Sequence, residues 1–433
     1  MTEATSESSV ERRPAIFVGI DWADQKHFWS LAAPDGKIER GELEHKPEKL
    51  DEFFAGLSQR FAGQPIAVAL EQSRGALVYA LSKYSQVTIY PVHPNTLDHY
   101  RKSFYPSGAK SDPCDADLIL DLARKHPERL RAFAPDTVAT RTLQLLGEER
   151  RTQVDEQTAL RNRLTAQLKM YFPQALDWFD VNQPVLGQLL LKWPSLDLLK
   201  RAKPAQVAKW MRKHRLNADR VEQLKSAIRT AIAATTDDAV IAAGSLTVTT
   251  LALQLAVKAE SIAKFDDRLA ALAETHPDTP IFASLPCAGP VMLPRLIAAF
   301  GTQRERFQSA AEVQCYAGIA PVTDASGKKK WVHWRWACPK FVRQTFHEWA
   351  WLSTRKSEWA RAYYDRQREK GKSHHAAVRA LAFKWIRIVF RCWKDRKPYD
   401  EAVYLKSLQK RAKPVESRRK TSSGLISTGE LLA

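Results

Sequence analysis

The chain has 433 residues, and its 67 Lys and Arg against 48 Asp and Glu leave a formal charge of +19. That length exceeds one ordinary core and calls for two or three domains, while the positive excess favours polyanionic partners and salt-sensitive binding. No stretch approaches about 20 uninterrupted apolar residues, and the opening MTEATSESSVERR lacks the apolar core of a secretory signal, so nucleic acid stands ahead of a membrane as partner.

Five cysteines, Cys114, Cys287, Cys315, Cys338 and Cys392, are widely spread with no C-x-x-C pair. They read as reduced thiols of a cytosolic protein, and the spacing argues against structural zinc.

In chain order, residues 1–13 read as a disordered start. Apolar runs at 15–20 (AIFVGI), 28–33 (FWSLAA), 66–70 (IAVAL) and 87–92 (VTIYPV) read as strands, and 47–61 and 75–83 have helical character. Strands that cluster early and then alternate with helices predict an α/β domain with a mixed sheet over residues 14–130. From 131 to 275 the pattern is helical. Long amphipathic segments at 137–171 and 248–274 fit either a coiled-coil arm joining subunits or an ordinary helical bundle. Residues 285–301, LPCAGPVMLPRLIAAFG, read as a turn feeding an amphipathic helix that stops at Gly301, a pattern found in small helical DNA-binding units. The basic helix expected at 372–394 reads as a core helix with a basic rim. Residues 397–433 are expected to form a basic, largely disordered tail.

Four acids carry the chemistry. Asp21 directly follows AIFVGI and Glu71 directly follows IAVAL, so each leaves the C-terminal end of a core strand, where α/β sheets place their sites. Asp112 and Asp115 lie three apart in AKSDPCDADLIL, with Pro113 suited to a first helical turn and Asp112 to its cap. Taken singly, each is as readily a turn or cap residue. Together, four hard oxygen donors can hold two divalent ions that polarise a phosphate, and magnesium is the natural occupant.

The segments VGIDWADQKH, ALEQSRG and AKSDPCDADL resemble, in order and spacing, the RuvC-like DEDD domain of a family of insertion-sequence transposases. The resemblance implies a ribonuclease-H-like fold with magnesium on Asp21, Glu71, Asp112 and Asp115. LPCAGPVMLPRLIAAFG and FQSAAEVQCYAGIAPVTDASGKKK look like the C-terminal domain of the same family, here spanning 276–396 and mostly α-helical. In that family the domain supplies a serine before a glycine in a short loop, which falls on Ser326. A serine beside a flexible glycine can reach phosphorus in line and conserve bond energy as a phosphoserine ester. Behind it, Lys328, Lys329, Lys330 and Arg335, interleaved with Trp331, Trp334 and Trp336, suit phosphates and unpaired bases, or else the tryptophans are core.

The resemblance implies a site-specific recombinase: serine attack, a covalent serine–DNA intermediate, strand exchange on donor and target DNA, and a structured guide RNA. It further implies a homo-oligomer, dimer or tetramer, acting in the bacterial cytoplasm at the nucleoid. Two other readings fit the residues, a RuvC-like junction-resolving nuclease that activates water and a non-catalytic nucleic-acid-binding protein.

Overall fold

The computed structural model describes residues 16–105, 107, 111–327 and 329–412. Of the expectations above, the start at 1–13, Lys328 and the tail from 413 onward lie outside the described residues. The chain divides into two compact units, Met1–Pro135 and Asp136–Ala433.

The first unit opens with an antiparallel meander, β1 (Ile16–Asp21), β2 (Lys26–Ala32) and β3 (Ile38–Glu44). Then come α1 (Pro47–Arg60), β4 (Ile66–Leu70), α2 (Ala76–Leu81), β5 (Val87–Pro91), α3 (Pro94–Phe104) and α4 (Asp112–Lys125). The sheet order is β3-β2-β1-β4-β5, with β4 parallel to both β1 and β5. This mixed sheet is consistent with a ribonuclease-H-like fold. β4, and β1 as far as Ile20, carry no polar side chain because helices cover both faces. Ile16, Val18 and Ile20 pack with Leu50 and Phe54 of α1 and Leu77 of α2, while Phe17 and Ala69 join Leu97 of α3 and Ile119 of α4. β3, which the sequence reading did not find, is IERGELE: a charged edge strand whose alternating acids keep other strands from adding to it.

Gly19 sets the seat of α4. A Cβ there would stand 2.4 Å from the Ala116 carbonyl oxygen and 2.5 Å from the Leu120 nitrogen, so only a residue without a side chain lets the helix lie on the strand. Asp117 fastens the same helix to the meander, accepting from Ser30 Oγ at 2.5 Å and Arg40 Nε at 2.8 Å.

The second unit contains α5 (Val138–Tyr171), α6 (Gln174–Trp178), α7 (Pro184–Lys192), α8 (Leu196–Arg201), α9 (Pro204–Lys213), α10 (Ala218–Thr230) and α11 (Asp238–Glu274). They are followed by α12 (Thr279–Ala283), α13 (Met292–Phe300), α14 (Ala310–Tyr316), a hairpin of β6 (Val322–Ser326) and β7 (Lys329–His333), α15 (Lys340–Ser353), α16 (Glu358–Glu369), α17 (His374–Lys394) and α18 (Glu401–Ala412). α5 and α11 lie along each other antiparallel over about 50 Å, with Arg150 Nη2 on Asp266 at 3.1 Å and Lys258 Nζ on Gln153 at 2.7 Å and on Glu156. Each end of the pair is embedded in a core. Leu164, Leu168 and Tyr171 of α5 and Val248 and Leu251 of α11 join the small helices α6–α10. At the other end Leu143, Leu269 and Ala273 join the C-terminal helices. α11 is long and apolar enough to cross a membrane by length and composition; it buries Val248 and Leu251 and exposes Leu246, Leu253 and Val257.

The C-terminal core is built on Trp349, Trp385 and Trp393, all fully buried, and each indole N–H finds an acceptor: Pro286 O, Ser353 Oγ and Gly301 O. Such pairing is what allows tryptophan at the centre of a core. Three sequence expectations change here. α13 does end at Gly301, but Met292 and Pro294 through Phe300 are all buried, so it is a core helix and has no face to offer a DNA groove. Residues 401–412 form α18 rather than unstructured tail, because Tyr404 packs on Trp359. Ser326 ends a strand instead of sitting in a loop. Of the two readings left open for the tryptophans, Trp331 and Trp336 take the exposed one, and Trp334 is half-buried. α17 is a core helix, burying Val378, Leu381, Trp385, Ile386 and Val389.

Replacing Gly19 with alanine forces α4 off the strand. We expect Gly19→Ala to lower stability by about 1–3 kcal/mol in urea denaturation; an unchanged midpoint would refute the close seat.

Candidate active site

Asp21 is the last residue of β1 and Glu71 the first after β4. Because Ile20 pairs with Leu70 in the parallel ladder, the two acids leave neighbouring strands at the same level, about 4.8 Å apart in backbone. Side chains alternate along a strand, so Asp21 shares with Gly19 the face on which α4 lies. Asp21 is largely buried, and Glu71 is half-buried.

Asp115, in the first turn of α4, is fully buried. Arg101 of α3 grips both of its oxygens, Nε to Oδ1 at 2.7 Å and Nη2 to Oδ2 at 2.8 Å. The bond to Asp115 raises the Arg101 guanidinium above its ordinary range, and the charges of Asp115, Asp98 and Glu71 add to it. Arg101 thus ties Glu71 and Asp115 into one electrostatic cluster. Asp112 stays outside it: it is exposed and opens α4, with Ser111 rather than Asp112 at the cap position. Among the described residues no three His, Cys, Asp or Glu side chains stand together as metal ligands.

His27 holds the loop after Asp21. Its Nδ1 accepts the Ala23 N–H at 3.2 Å, which leaves Nε2 to donate to His45 Nδ1 at 2.9 Å. Burial, with help from His45, pushes His27 down to about 4, so at neutral pH it is an uncharged brace.

In the second unit, β6 and β7 pair antiparallel with Ser326 opposite Lys329, Asp324 opposite Trp331 and Val322 opposite His333. Gly327 makes the turn at φ 56, a conformation glycine adopts without strain. Alternation puts Ser326, Asp324, Lys329, Trp331 and His333 on one face of the ribbon. Ser326, Lys329 and Lys330 are exposed at its tip, and Arg335 is anchored below, its Nε donating to Ala320 O at 3.4 Å. His333 Nε2 lies 2.7 Å from Asp324 Oδ2, and Nδ1 lies 3.2 Å from the Trp334 carbonyl oxygen. With acceptors at both nitrogens the ring favours its doubly protonated form, and the Asp324 bond raises its pKa. Neither Arg101 nor the Asp324–His333 pair was found in the sequence. The signal for the second was present: a turn at Gly327 folds positions 324 and 333 onto one face.

Comparison with known proteins then gives the family. Residues 18–173, which hold all four acids, match the family model of IS110-type DEDD proteins described as "Transposase". Residues 279–365, which hold Ser326, match the "Transposase IS116/IS110/IS902 family". The chain is 28% identical over 400 residues to the "Mini-circle putative transposase for IS117" of Streptomyces coelicolor, covering 89% of this chain and 95% of the relative. It is 27% identical over 401 residues to the "Insertion element IS110 uncharacterized 43.6 kDa protein" of the same organism, covering 90% and 96%. It is 26% identical over 405 residues to the "Insertion element IS900 uncharacterized 42 kDa protein" of Mycobacterium paratuberculosis, covering 90% and 98%. Two family matches falling on the two candidate sites, with relatives aligned nearly end to end, place this chain in the IS110 family of insertion-sequence transposases.

Proposed function

We propose that this transposase cuts and rejoins DNA through Ser326, with Asp21, Glu71, Asp112 and Asp115 holding two magnesium ions. The observation that carries the reading is the exposed Ser326 at the tip of a two-stranded ribbon, flanked by Lys329 and Lys330 and sharing a face with the Asp324–His333 pair.

The donor set suits magnesium, which takes oxygen ligands and keeps several waters. Acids leaving two adjacent strand ends and the first turn of a helix offer such oxygens, and Arg101 marks the place where positive charge is wanted. Bound there, the ions would polarise the scissile phosphate and stabilise the departing oxygen. For Asp115 to serve as a ligand, Arg101 swings away and is free to meet phosphate.

Lys329 and Lys330 hold the DNA backbone at the ribbon tip. The Ser326 oxygen forms a bond to phosphorus as the bond from phosphorus to the sugar oxygen breaks; the serine proton goes to water, and the departing oxygen takes one up. The ester keeps the bond energy, so a second strand's hydroxyl can reverse the step and complete exchange without a high-energy cofactor. The charge of +19 supports donor and target DNA together with a structured guide RNA, since a protein that leaves sequence reading to base pairing needs mainly backbone contacts. The working form is a homo-oligomer in which the carboxylate unit of one subunit serves the serine of another.

Ser326→Ala should abolish the detergent-stable protein–DNA adduct, a loss of about 10³-fold or more, with DNA binding retained. Free DNA ends in place of the adduct would favour the junction-nuclease reading. Asp21→Asn should stop strand cleavage in magnesium while the serine ribbon still binds DNA; cleavage at the wild-type rate would reject the metal site. A group with a raised folded pKa stabilises its partner contact below its unfolded value and loses it as pH rises through the folded one. The His333 midpoint, followed by NMR, should therefore lie above 6.5 and fall toward it in Asp324→Asn, and a midpoint indifferent to that substitution would dissolve the pair.

A further inference from the structure

Beneath the serine ribbon the second unit has a cavity of about 610 Å³, within the range of small-molecule sites. Its walls are the end of β7 and the residues after it, the loop before β6, Tyr363 of α16 and one side of α17. Aromatic plates and cations alternate around it: Trp334, Tyr363 and Phe383 with Arg335 and Arg379. The Arg379 guanidinium lies 3.6 Å from the Trp334 ring centroid, and Arg343 approaches the same ring at 5.5 Å.

Two polar groups are unsatisfied, one in these walls and one against the ring of Trp334. The Trp334 indole N–H and one terminal nitrogen of Arg343 are buried without an acceptor, a condition that calls for an explanation in a folded protein. Among the described residues, none of Arg335, Arg343 and Arg379 pairs with a carboxylate, whereas Arg151, Arg295, Arg361 and Arg391 of this unit's helices do. Burial lowers the Arg379 pKa, which a bound anion would reverse. The pocket therefore offers stacking planes, donors and positive charge, and no negative charge. A base with its phosphate is the ligand that uses all three.

We propose that this cavity receives one unpaired nucleotide of the DNA strand handled by Ser326, its base against Tyr363 and Phe383 and its phosphate toward Arg335 and Arg379. The proposal rests on the reading that the second unit handles DNA. β7 connects the two places: Lys329 stands opposite Ser326 and His333 stands at the rim of the cavity. At about 3.3 Å per residue the rim is roughly 13 Å from the serine, a few nucleotide steps along a strand. The pocket would fix the register of a melted strand beside the reacting phosphate.

The test is binding of the full-length protein to two fluorescein-labelled strands of equal length, an oligodeoxythymidylate and its wholly abasic counterpart. The wild type should prefer the base-bearing strand about tenfold. Tyr363→Ala, which removes a plate from a half-exposed position and leaves Arg335 and Arg379 in place, should erase that preference and leave abasic binding unchanged, and Ala380→Trp, which fills the cavity, should erase the preference as well. Equal wild-type affinity for the two strands, or preference retained in both variants, overturns the pocket alone. No binding of either strand overturns the pocket together with the DNA-acting reading, and tighter binding of an oligouridylate RNA overturns its assignment to DNA.

Discussion

Helix α4 meets strand β1 with no side chain between them, and that contact at Gly19 organises the first unit. Two residues further along the same strand face is Asp21, and in the adjoining turn of the helix is Asp115. A larger residue at the contact would separate the two carboxylates along with the backbones. The Asp117 bonds to Ser30 and Arg40 act in the same direction, tying the helix to β2 and β3 so that it neither slides nor lifts.

Close seating creates an electrostatic problem, because it buries a carboxylate. Asp115 is fully enclosed, and an isolated charge there would be strongly destabilising. Arg101 resolves it with a bidentate grip, and removing one member of such a pair costs about 3–5 kcal/mol. The proposed nucleophile in the other unit is built on the opposite principle. Ser326 is exposed, carried on a ribbon of strand residues that are themselves mostly exposed, and is held in place by backbone pairing rather than by burial. Asp115 is packed tightly against its counter-ion, whereas the Ser326 hydroxyl is held out in solvent.

Much of this was legible from residue order. Residues 16–20 (IFVGI) and IAVAL are strands because nothing in them tolerates water, and Asp21 and Glu71 stand at their ends where the sequence places them. The long helices α5 and α11 follow from unbroken helical spacing, although α11 begins ten residues earlier than expected, at Asp238, where Asp237 caps it through the Ala239 and Val240 N–H groups. What was not legible depends on pairs far apart in the chain. β3 looks like a charged loop until β2 lies beside it. Asp112 and Asp115 are identical in type and separated by one turn, yet one is exposed and the other enclosed, because only the second faces α3. Arg101 is one cation among 67 Lys and Arg, and nothing local distinguishes it. The burial of α13 is likewise a tertiary outcome, since its apolar residues fit a surface helix as readily as a core one.

The antiparallel pair formed by α5 and α11 constrains how such a chain can change length. Contacts step in opposite directions along it: Arg150 with Asp266, Glu156 with Lys258, and Tyr171 against Gly244, where a Cβ would stand 2.6 Å from the tyrosine ring. Insertion of one helical turn in α5 alone would leave every later partner displaced, and the core at one end would lose its match. A change of length in this segment would therefore keep both cores matched only when a gain in one helix is answered by an equal gain in the other, so that the two helices act as a single paired element.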